Sequence, residues 1–245
     1  AYGYETHYLT ADRNGTLAGV LALTEARTPL LGASLVSTAF AVGGGPLADD
    51  GEAMAALLEA AAALGREMRV NYIECRSGFA APGWREKAGL HANFDMPLAA
   101  GEAEAFAAVP RKRRADIRKA LEAAQQGDLA IRHDGEPELF YRLYAQALHR
   151  RGTPVFAKRF LDALLNEFTS QTEISIVEHL GKPAAALLSF YFKDAVLPYY
   201  VGATDEAREC RAFDFLYWSV MRRAAAKGAA RFDFGRSKIG DGAYH

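Results

Sequence analysis

The sequence feature that most constrains the fold of this 245-residue chain is a series of short predicted strands and a helix that occurs twice in the same order. In each half, two apolar runs of strand length flank a glycine-containing turn, a third run follows, and a helical stripe precedes a short strand that ends in Arg-Ser. The offset is 166 residues from Gly15 to Gly181 and 160 residues from Arg76 to Arg236. A nearly constant offset predicts a duplication, with chance similarity between short β-turn-β patterns as the alternative.

The individual elements of the two copies can be placed from their patterns. The first copy has a hairpin signal at Asn14-Gly15 and an extended segment over residues 30–40. The second has strand-like runs over residues 184–192 and 195–202, followed by a helical stripe over about residues 213–227. Strands and helices that alternate in this way predict an α/β fold.

A helical connector is predicted between the copies. Pro110 suits the first turn of a helix that runs to about Gln126, and residues 139–148 and 156–168 form two further apolar stripes. The predicted division is therefore a first domain over residues 1–108, then connector helices and a second domain over residues 109–245.

The charge balance and the cysteines limit the partners and the compartment. A formal net charge of −1 gives the whole molecule no broad attraction to nucleic acid or anionic membrane, so any phosphate affinity depends on a local cluster. Cys75 and Cys210 have no metal-ligand spacing and fit a reducing compartment, with a single disulfide as the alternative. No apolar run approaches the roughly 20 residues that span a bilayer. We therefore expect a cytoplasmic protein with no DNA partner.

Six cations within nine residues, at the start of the first connector helix, are the most distinctive local feature. Cations at a helix N-terminus oppose the helix dipole, so helix stability gives no reason for them. Arg111, Arg114 and Arg118 share one side of the helix and are the predicted anion-binding residues. The alternative is a solvated charged face that is partly paired with neighbouring acids such as Asp116.

A second group of candidates lies at the carboxyl end of the last strand, where loops of α/β proteins often build ligand sites. Asp233 alternates with Phe232 and Phe234 and is predicted to point away from them. A buried aspartate needs a partner, and Arg236 or Lys238 is available nearby. A ligand site and a structural ion pair both fit these residues.

Two adjacent tyrosines, Tyr199 and Tyr200, form the third group. A tyrosine can stack on a ligand, donate to an anion or move a proton. Because side chains alternate along a strand, we expect one of the two in the core and the other on the opposite face.

Several common chemistries are excluded by missing motifs. The sequence contains no GxSxG elbow, no GxxxxGK[ST] loop and no HExxH. Gly43-Gly44-Gly45 precedes a proline and predicts a turn rather than a nucleotide cradle. The six histidines have no ligand-like spacing, so no metal site is predicted.

Residues 109–120 resemble the "lPrk.R..iRKa" signature of FemAB-like proteins, and residues 152–156, 197–200 and 232–237 resemble further segments of that family. Over nearly the whole chain and in this order, the motifs are most similar to the FemAB-related subgroup associated with PEP-CTERM/exosortase systems. The resemblance implies tandem GNAT-like (acyl-CoA N-acyltransferase-like) domains of the α/β (α+β) class. Each is then a mixed, mostly antiparallel sheet flanked by helices.

The resemblance also implies an acyltransferase that moves an N-acyl or aminoacyl group to an amine of a cell-envelope or exopolysaccharide precursor. The best-known members use aminoacyl-tRNA to extend the peptide of peptidoglycan precursors. In them, an arginine in the region that matches residues 114–118 grips precursor phosphate, and a lysine in an "FK..WG" segment near the C-terminus assists transfer. The present sequence ends at residues 242–245, where that segment is expected to begin, so the lysine cannot be carried over.

The donor stays open between aminoacyl-tRNA and acyl-CoA, and no tightly bound cofactor is expected. GNAT enzymes usually hold the CoA pyrophosphate with a Q/R-x-x-G-x-G/A turn, and the acids of residues 202–206 depart from it and are expected to repel phosphate. A helical hairpin that some ligases use for tRNA contact is not evident either. The alternative functions are an acetyl-CoA-dependent GNAT N-acetyltransferase and a non-catalytic precursor-binding protein of a polysaccharide assembly system. The expected acceptor is an anionic small molecule or a lipid-linked glycan or peptide precursor, with peripheral membrane contact.

The predicted mechanism is direct acyl transfer, in which a neutral, positioned amine attacks an activated ester or thioester without a protein nucleophile. Arginines of the connector helix are predicted to orient the anionic acceptor, and the cations after Asp233 to stabilise developing negative charge. The predicted catalytic residues are Asp233 and Tyr200. The predicted substrate-binding residues are Arg111, Arg114, Arg118, Tyr199, Arg236 and Lys238.

Overall fold

The computed structural model describes residues 2–28, 30, 32–76 and 80–240. Its contacts divide the chain between Leu90 and His91 into two compact units. The predicted division after residue 108 differs from this one because the strand over His91–Pro97 pairs with Arg231–Lys238, a strand of the second unit.

The first unit is a mixed sheet packed against a helix. Its order is β1-β2-β3-β5, with β4 on β2, and only the contact between β3 and β5 is parallel. The elements are β1 (Thr6–Arg13), β2 (Thr16–Thr28), β3 (Gly32–Ser37), β4 (Leu47–Ala48), α1 (Gly51–Glu67) and β5 (Tyr72–Glu74).

Helix α1 begins directly after Asp50, which caps its N-terminus. The Asp50 carboxylate accepts the backbone N–H groups of Glu52 and Ala53 at 3.1 and 2.9 Å, which satisfies donors that the helix start leaves open. Leu57 of the helical stripe is 1% exposed and packs with Leu23 and other leucines of the sheet. The stripe therefore forms the core of this unit, as its spacing predicts.

The second unit is a larger mixed sheet in the order β6-β11-β10-β9-β8-β7, in which only β10 and β11 run parallel. Its strands are β6 (His91–Pro97), β7 (Leu129–Arg132), β8 (Thr172–His179), β9 (Lys182–Phe192), β10 (Ala195–Ala203) and β11 (Arg231–Lys238). Its helices are α2 (Glu102–Ala108), α3 (Arg111–Gln125), α4 (Pro137–Arg150), α5 (Lys158–Glu167) and α6 (Ala212–Ala226).

Helices cover both faces of this second sheet. Alternate residues of β9 pack to opposite sides: Leu187 belongs to the cluster with α3 and α6, and Leu188 to the cluster with α4 and α5. We call these the α6 face and the α4 face. Gly202 of β10 lies on the α4 face, where it allows the backbone of α4 to approach the strand closely.

The internal repeat is confirmed as a repeat of topology. The run β1-β2-β3-α1-β5 corresponds to β8-β9-β10-α6-β11: three antiparallel strands, a helix, and a strand that joins the third in parallel. The predicted α/β class is confirmed with it. Strands β6 and β7 and helix α2 are additions that the sequence patterns did not predict. None of the helices formed by the described residues is long and apolar enough to cross a membrane.

Candidate functional site

Strands β10 and β11 diverge and open a wedge in the sheet of the second unit. Their parallel pairing covers two residue pairs, Ala195 with Arg231 and Val196 with Phe232. Beyond these pairs β10 stays on β9 as far as Ala203, and β11 stays on β6. An extended chain that enters the wedge meets strand edges on both sides, so the wedge suits a long, flexible substrate arm.

A β-bulge on the β10 side of the wedge changes the predicted position of the tyrosine pair. Pro198 pairs with Ser189 and Tyr200 with Leu188, so Tyr199 is an extra residue. Both tyrosines therefore pack with the cluster on the α4 face, and their rings are 4.9 Å apart. The expectation that they point to opposite faces is wrong, because the bulge interrupts the alternation on which it rests.

Tyr200 is 7% exposed and lies within an aromatic group. Its ring makes edge contacts with Tyr144 of α4 at 5.7 Å and with Phe156 of the α4–α5 loop at 6.1 Å. Tyr199 makes an edge contact with Phe190 at 5.7 Å. The tyrosines thus link the wedge to the α4–α5 loop through packing.

A second bulge lies on the β11 side of the wedge. Asp233 pairs with Asp95 of β6 and Arg236 with Asn93, and Phe234 is the extra residue between them. Directly paired residues of an antiparallel ladder share a face, so the bulge brings Asp233 and Arg236 to the same side of the sheet. Lys238, opposite His91, follows on that side. Unbroken alternation would place Asp233 on the other side from both cations.

These side chains lie on the α4 face. Phe232 and its partner Met96 pack into the cluster on the α6 face, so the residues next to them in the two strands point the other way. The face is open here: Arg236, Lys238 and Asp95 are exposed and Asp233 is half-buried. We call Asp95, Asp233, Arg236 and Lys238 the β11 cluster.

Asp233 forms a hydrogen bond within its own strand and not the structural ion pair that was one of the two alternatives from the sequence. Its carboxylate accepts the backbone N–H of Gly235 at 2.7 Å, a contact within the bulge. Among the described residues, neither Arg236 nor Lys238 lies within ion-pairing distance of it, and Asp95 has no ion pair either. The cluster therefore keeps two carboxylates and two cations available to a ligand.

The α4–α5 loop is held at the same end of β10. Arg150 donates to the backbone oxygen of Ala203, and its Nε lies 2.7 Å from Asp205. Burial raises the pKa of Tyr217 on α6, and the cation of Arg151 partly offsets this effect.

The arginines of α3 lie on the other face of the sheet. Helix α3 begins at Arg111 after Pro110, carries no acid in its first turn and packs Ile117 against Trp218 of α6. Arg118 stacks over the ring of Phe106 at 4.9 Å, which fixes its guanidinium. Asp116, a neighbouring acid proposed to neutralise these cations, instead binds Arg211 at 2.9 Å.

Arg111 and Arg114 form no ion pair with any residue in the described ranges, and Arg111 is exposed. The structure thus brings Tyr199, Tyr200 and the β11 cluster to one face of the sheet and leaves the three arginines of α3 on the other. Residues 242–245, where the lysine segment is expected to begin, lie outside the described residues.

Two members of the site were missed from the sequence. Asp95 belongs to residues 91–96, which alternate polar and apolar side chains, and this alternation alone is a strand signal. Arg150 is the last residue of α4, and nothing in the local sequence indicates that it reaches Ala203 and Asp205.

Comparison with known proteins agrees with this architecture. The family model described as an acetyltransferase (GNAT) domain matches residues 111–245, more than half of the chain. The protein therefore belongs to the GNAT acetyltransferase family and is an acyltransferase, whose chemistry requires an acyl donor and an amine-bearing acceptor. A comparison with curated protein sequences finds no match.

Solved structures share the tandem fold at low sequence identity. FemX matches with a TM-score of 0.72 and 14% identity, over 98% of this chain and 81% of FemX. A tandem GNAT protein from the clavulanic acid biosynthesis pathway matches with a TM-score of 0.57 and 13% identity, over 98% and 76%. The C-terminal domain of a putative lysylphosphatidylglycerol synthetase from Agrobacterium fabrum matches with a TM-score of 0.56 and 16% identity, over 95% and 71%. The FemAB-like, tandem GNAT fold implied by the sequence motifs is thereby confirmed.

Proposed function

We propose that this protein transfers an N-acyl or aminoacyl group to an amine of an anionic cell-envelope or exopolysaccharide precursor, with the chemistry at the wedge between β10 and β11. The observation that carries the proposal is the pair of carboxylates, Asp95 and Asp233, that faces the open side of β11 and forms no ion pair among the described residues. An amine that arrives as an ammonium ion is the complement of such a pair.

The donor arm is proposed to lie along the wedge, with its activated carbonyl near the two bulges. Bulges are frequent next to active sites because they re-aim side chains, and here they line both sides of the opening. The similarity to FemX and to the lysylphosphatidylglycerol synthetase domain is compatible with an aminoacyl donor.

The proton of the attacking amine is proposed to pass to Asp233. The ammonium ion first gives one proton to Asp233, which releases it to solvent. The neutral amine nitrogen then attacks the carbonyl carbon to form a tetrahedral intermediate, and Asp233 takes its second N–H proton. This proton passes to the leaving oxygen or sulfur as the ester C–O or thioester C–S bond breaks. Arg236 and Lys238 stabilise the negative charge that develops on oxygen. Tyr200 is the alternative proton-transfer group, and Tyr200→Phe, which removes only its hydroxyl, separates that role from packing.

Arg111, Arg114 and Arg118 are proposed to hold an anionic part of a substrate that is remote from the reacting amine. The sheet separates them from the β11 cluster, so they suit phosphates at the far end of a long molecule. A lipid-linked or nucleotide-linked precursor has this form. The association with PEP-CTERM/exosortase systems and the cytoplasmic location stay predictions from the sequence.

An acyl-CoA donor is the second candidate, and one observation favours it. The acids after β10 were expected to repel CoA phosphates, but Arg150 binds Asp205 at 2.7 Å and neutralises one of them. The acid is therefore a weaker obstacle to a phosphate than its charge alone suggests.

Mass spectrometry of product formation tests these proposals. Purified protein is incubated with an amine-bearing nucleotide-linked precursor and either a set of acyl-CoAs or charged tRNA, with RNase-treated tRNA as the matched control. Transfer that RNase abolishes supports the aminoacyl route, and transfer from acyl-CoA supports the second candidate. If acceptors bind in a thermal-shift assay but no donor yields product, the proposed reaction is wrong.

A further inference from the structure

Three potential metal ligands converge in the first unit. One ligand atom from each of Glu5, His7 and Glu25 lies within 4.8 Å of the others. They meet because β1 and β2 are antiparallel neighbours: Thr6 opposes Thr24, and the N–H of Glu25 donates to the backbone oxygen of Glu5 at 2.8 Å. The hairpin brings Glu25 to the other two residues, so spacing along the sequence gave no sign of the cluster.

The imidazole of His7 has an unsatisfied nitrogen. Its Nε2 atom has no contact with solvent and no hydrogen-bond partner within the described part of the chain. The distance from His7 Nε2 to Oε2 of Glu25 is 4.0 Å, which is too long for a hydrogen bond. A buried polar atom without a partner is costly and requires an explanation, of which an absent ion is one.

The His7 ring lies at the edge of the apolar core of the first unit. His7 points to the same side of β1 as Leu9, which packs against the apolar core of the unit. On the neighbouring strand, Leu23 is fully buried in that core and Glu25 follows it on the same side. The cluster thus closes the end of the core, where one imidazole and two carboxylates replace apolar side chains.

We propose that Glu5, His7 and Glu25 bind a divalent first-row transition ion, with Zn²⁺ as the best fit. An imidazole nitrogen and two carboxylate oxygens match the ligands that Zn²⁺ accepts, and water supplies the remaining position. Tetrahedral ligands of one zinc ion are about 3.4 Å apart, so atoms that lie up to 4.8 Å apart here need to close by at most about 1.4 Å. Exposed Glu5 can make that movement by side-chain rotation.

Arg27 prepares one carboxylate for this role. Its Nε donates to Oε1 of Glu25 at 2.8 Å, which orients the carboxylate and leaves Oε2, the atom nearer His7, for the ion. Partners of this kind commonly fix the ligands of metal sites. The bound ion ties edge strand β1 to β2 and is therefore structural.

Calorimetric titration of the full chain with Zn²⁺, after removal of any affinity tag and treatment with a chelator, tests the proposal. We expect one ion per chain and a melting temperature that rises with Zn²⁺ concentration, because the ion binds the folded hairpin and not the unfolded chain. Mg²⁺ is the control ion, since it prefers sites made of oxygen alone and is expected to leave the melting temperature unchanged.

Glu5→Gln is the sharpest variant because Glu5 is exposed and its loss does not disturb the core. Loss of an outer-shell partner alone costs roughly 10- to 100-fold in metal affinity, so loss of this ligand is expected to weaken Zn²⁺ binding at least tenfold. His7→Ala is expected to abolish it, and His149→Ala, which removes an exposed imidazole on α4, to leave it unchanged. Absence of Zn²⁺ binding in the parent protein, or binding that survives both Glu5→Gln and His7→Ala, overturns the proposal.

Discussion

Asp233 of β11 and Asp95 of β6 oppose each other directly in an antiparallel pair. Like charges in this position repel one another and weaken a sheet. Arg231 interacts electrostatically with both carboxylates, but its guanidinium forms its ion pair with Asp194, at 3.4 Å. The arrangement therefore opposes stability and is understandable if a cationic ligand occupies the face.

Asn substitution at these positions is expected to separate activity from stability. Asp233→Asn keeps an oxygen that can accept the Gly235 N–H but loses the proton acceptor, so kcat/KM for acyl transfer should fall about 100- to 10,000-fold. Relief of repulsion should raise stability by at most about 1 kcal/mol. Steady-state kinetics and chemical denaturation measure the two effects.

Asp95→Asn is the companion variant to Asp233→Asn. It should show the same gain in stability and a rise in KM for the amine, since Asp95 is proposed to attract the ammonium rather than take its proton. If either variant is destabilised and retains full activity, the carboxylates are structural.

The arginines of α3 that form no ion pair in the described part of the chain give a prediction about substrate charge. Arg114→Gln is expected to raise KM for a phosphate-bearing acceptor about tenfold, with kcat little changed, because a charge-assisted contact is lost far from the reacting amine. The same variant should leave KM unchanged for a truncated acceptor without phosphate. Lys119→Gln removes an exposed cation from another side of α3 and is the matched control. Equal KM values for both variants would contradict the proposed role.

The two bulges explain how much of the site the sequence could predict. Tandem strands and helices were predictable because apolar periodicity reports burial directly. The side of the sheet to which Tyr199 and Arg236 point could not be predicted. A bulge depends on the pairing with the neighbouring strand, and the alternation of residues along one strand does not reveal the extra residue. The basic helix α3 was correctly predicted. The side of the sheet on which it packs was not predictable, because it depends on the contact between Ile117 and α6, which are distant in sequence.

Glu173 of β8 is expected to contribute strongly to stability. Its side chain is 9% exposed, its carboxylate accepts the Nε of Arg223 at 2.9 Å, and it also accepts from Lys227 and, at 3.1 Å, from the hydroxyl of Tyr191. Burial raises the pKa of Glu173, but the hydrogen bonds from Lys227 and Arg223 outweigh this and hold it below its ordinary value.

Replacement of Glu173 by glutamine should lower the free energy of unfolding by about 1–3 kcal/mol, because charge-assisted hydrogen bonds are lost while the shape is kept. Urea denaturation measures the loss. Glu178→Gln is the control on the same strand: its contact with Arg132 is 3.7 Å long and more exposed, so its effect should stay within about 0.5 kcal/mol. Similar values for the two variants would show that the Glu173 network is not special.

His133, which precedes α4, predicts a pH dependence of stability. Burial lowers its pKa below the ordinary value of 6.5, and the cation of Arg223 acts in the same direction, whereas Glu173 opposes them. The folded state therefore binds a proton less readily than the unfolded state, and stability falls as pH decreases below about 6.5. In the parent protein His133 Nδ1 lies 2.8 Å from the hydroxyl oxygen of Ser175, and the amide of His133→Asn can keep a hydrogen bond to it. This variant should make the melting temperature depend less on pH between pH 6.5 and 5. A profile as steep as that of the control His149→Asn would contradict this assignment.

Gly202 is expected to be indispensable for the close contact between β10 and α4. A Cβ atom at this position would lie 2.5 Å from the carbonyl carbon of Leu143 and from the Cα of Tyr144, both backbone atoms that cannot rotate away. Gly202→Ala should therefore cost at least about 3 kcal/mol, at the upper end of overpacking effects, because β10 or α4 must shift. Gly43→Ala is the control, since open space surrounds that glycine, and its effect should stay within about 0.5 kcal/mol.

Because α4 also carries Arg150 to the end of β10, the Gly202 variant should lose acyl-transfer activity even at temperatures where it remains folded. Wild-type activity in a folded Gly202→Ala protein would show that the fit of α4 against β10 does not position the wedge.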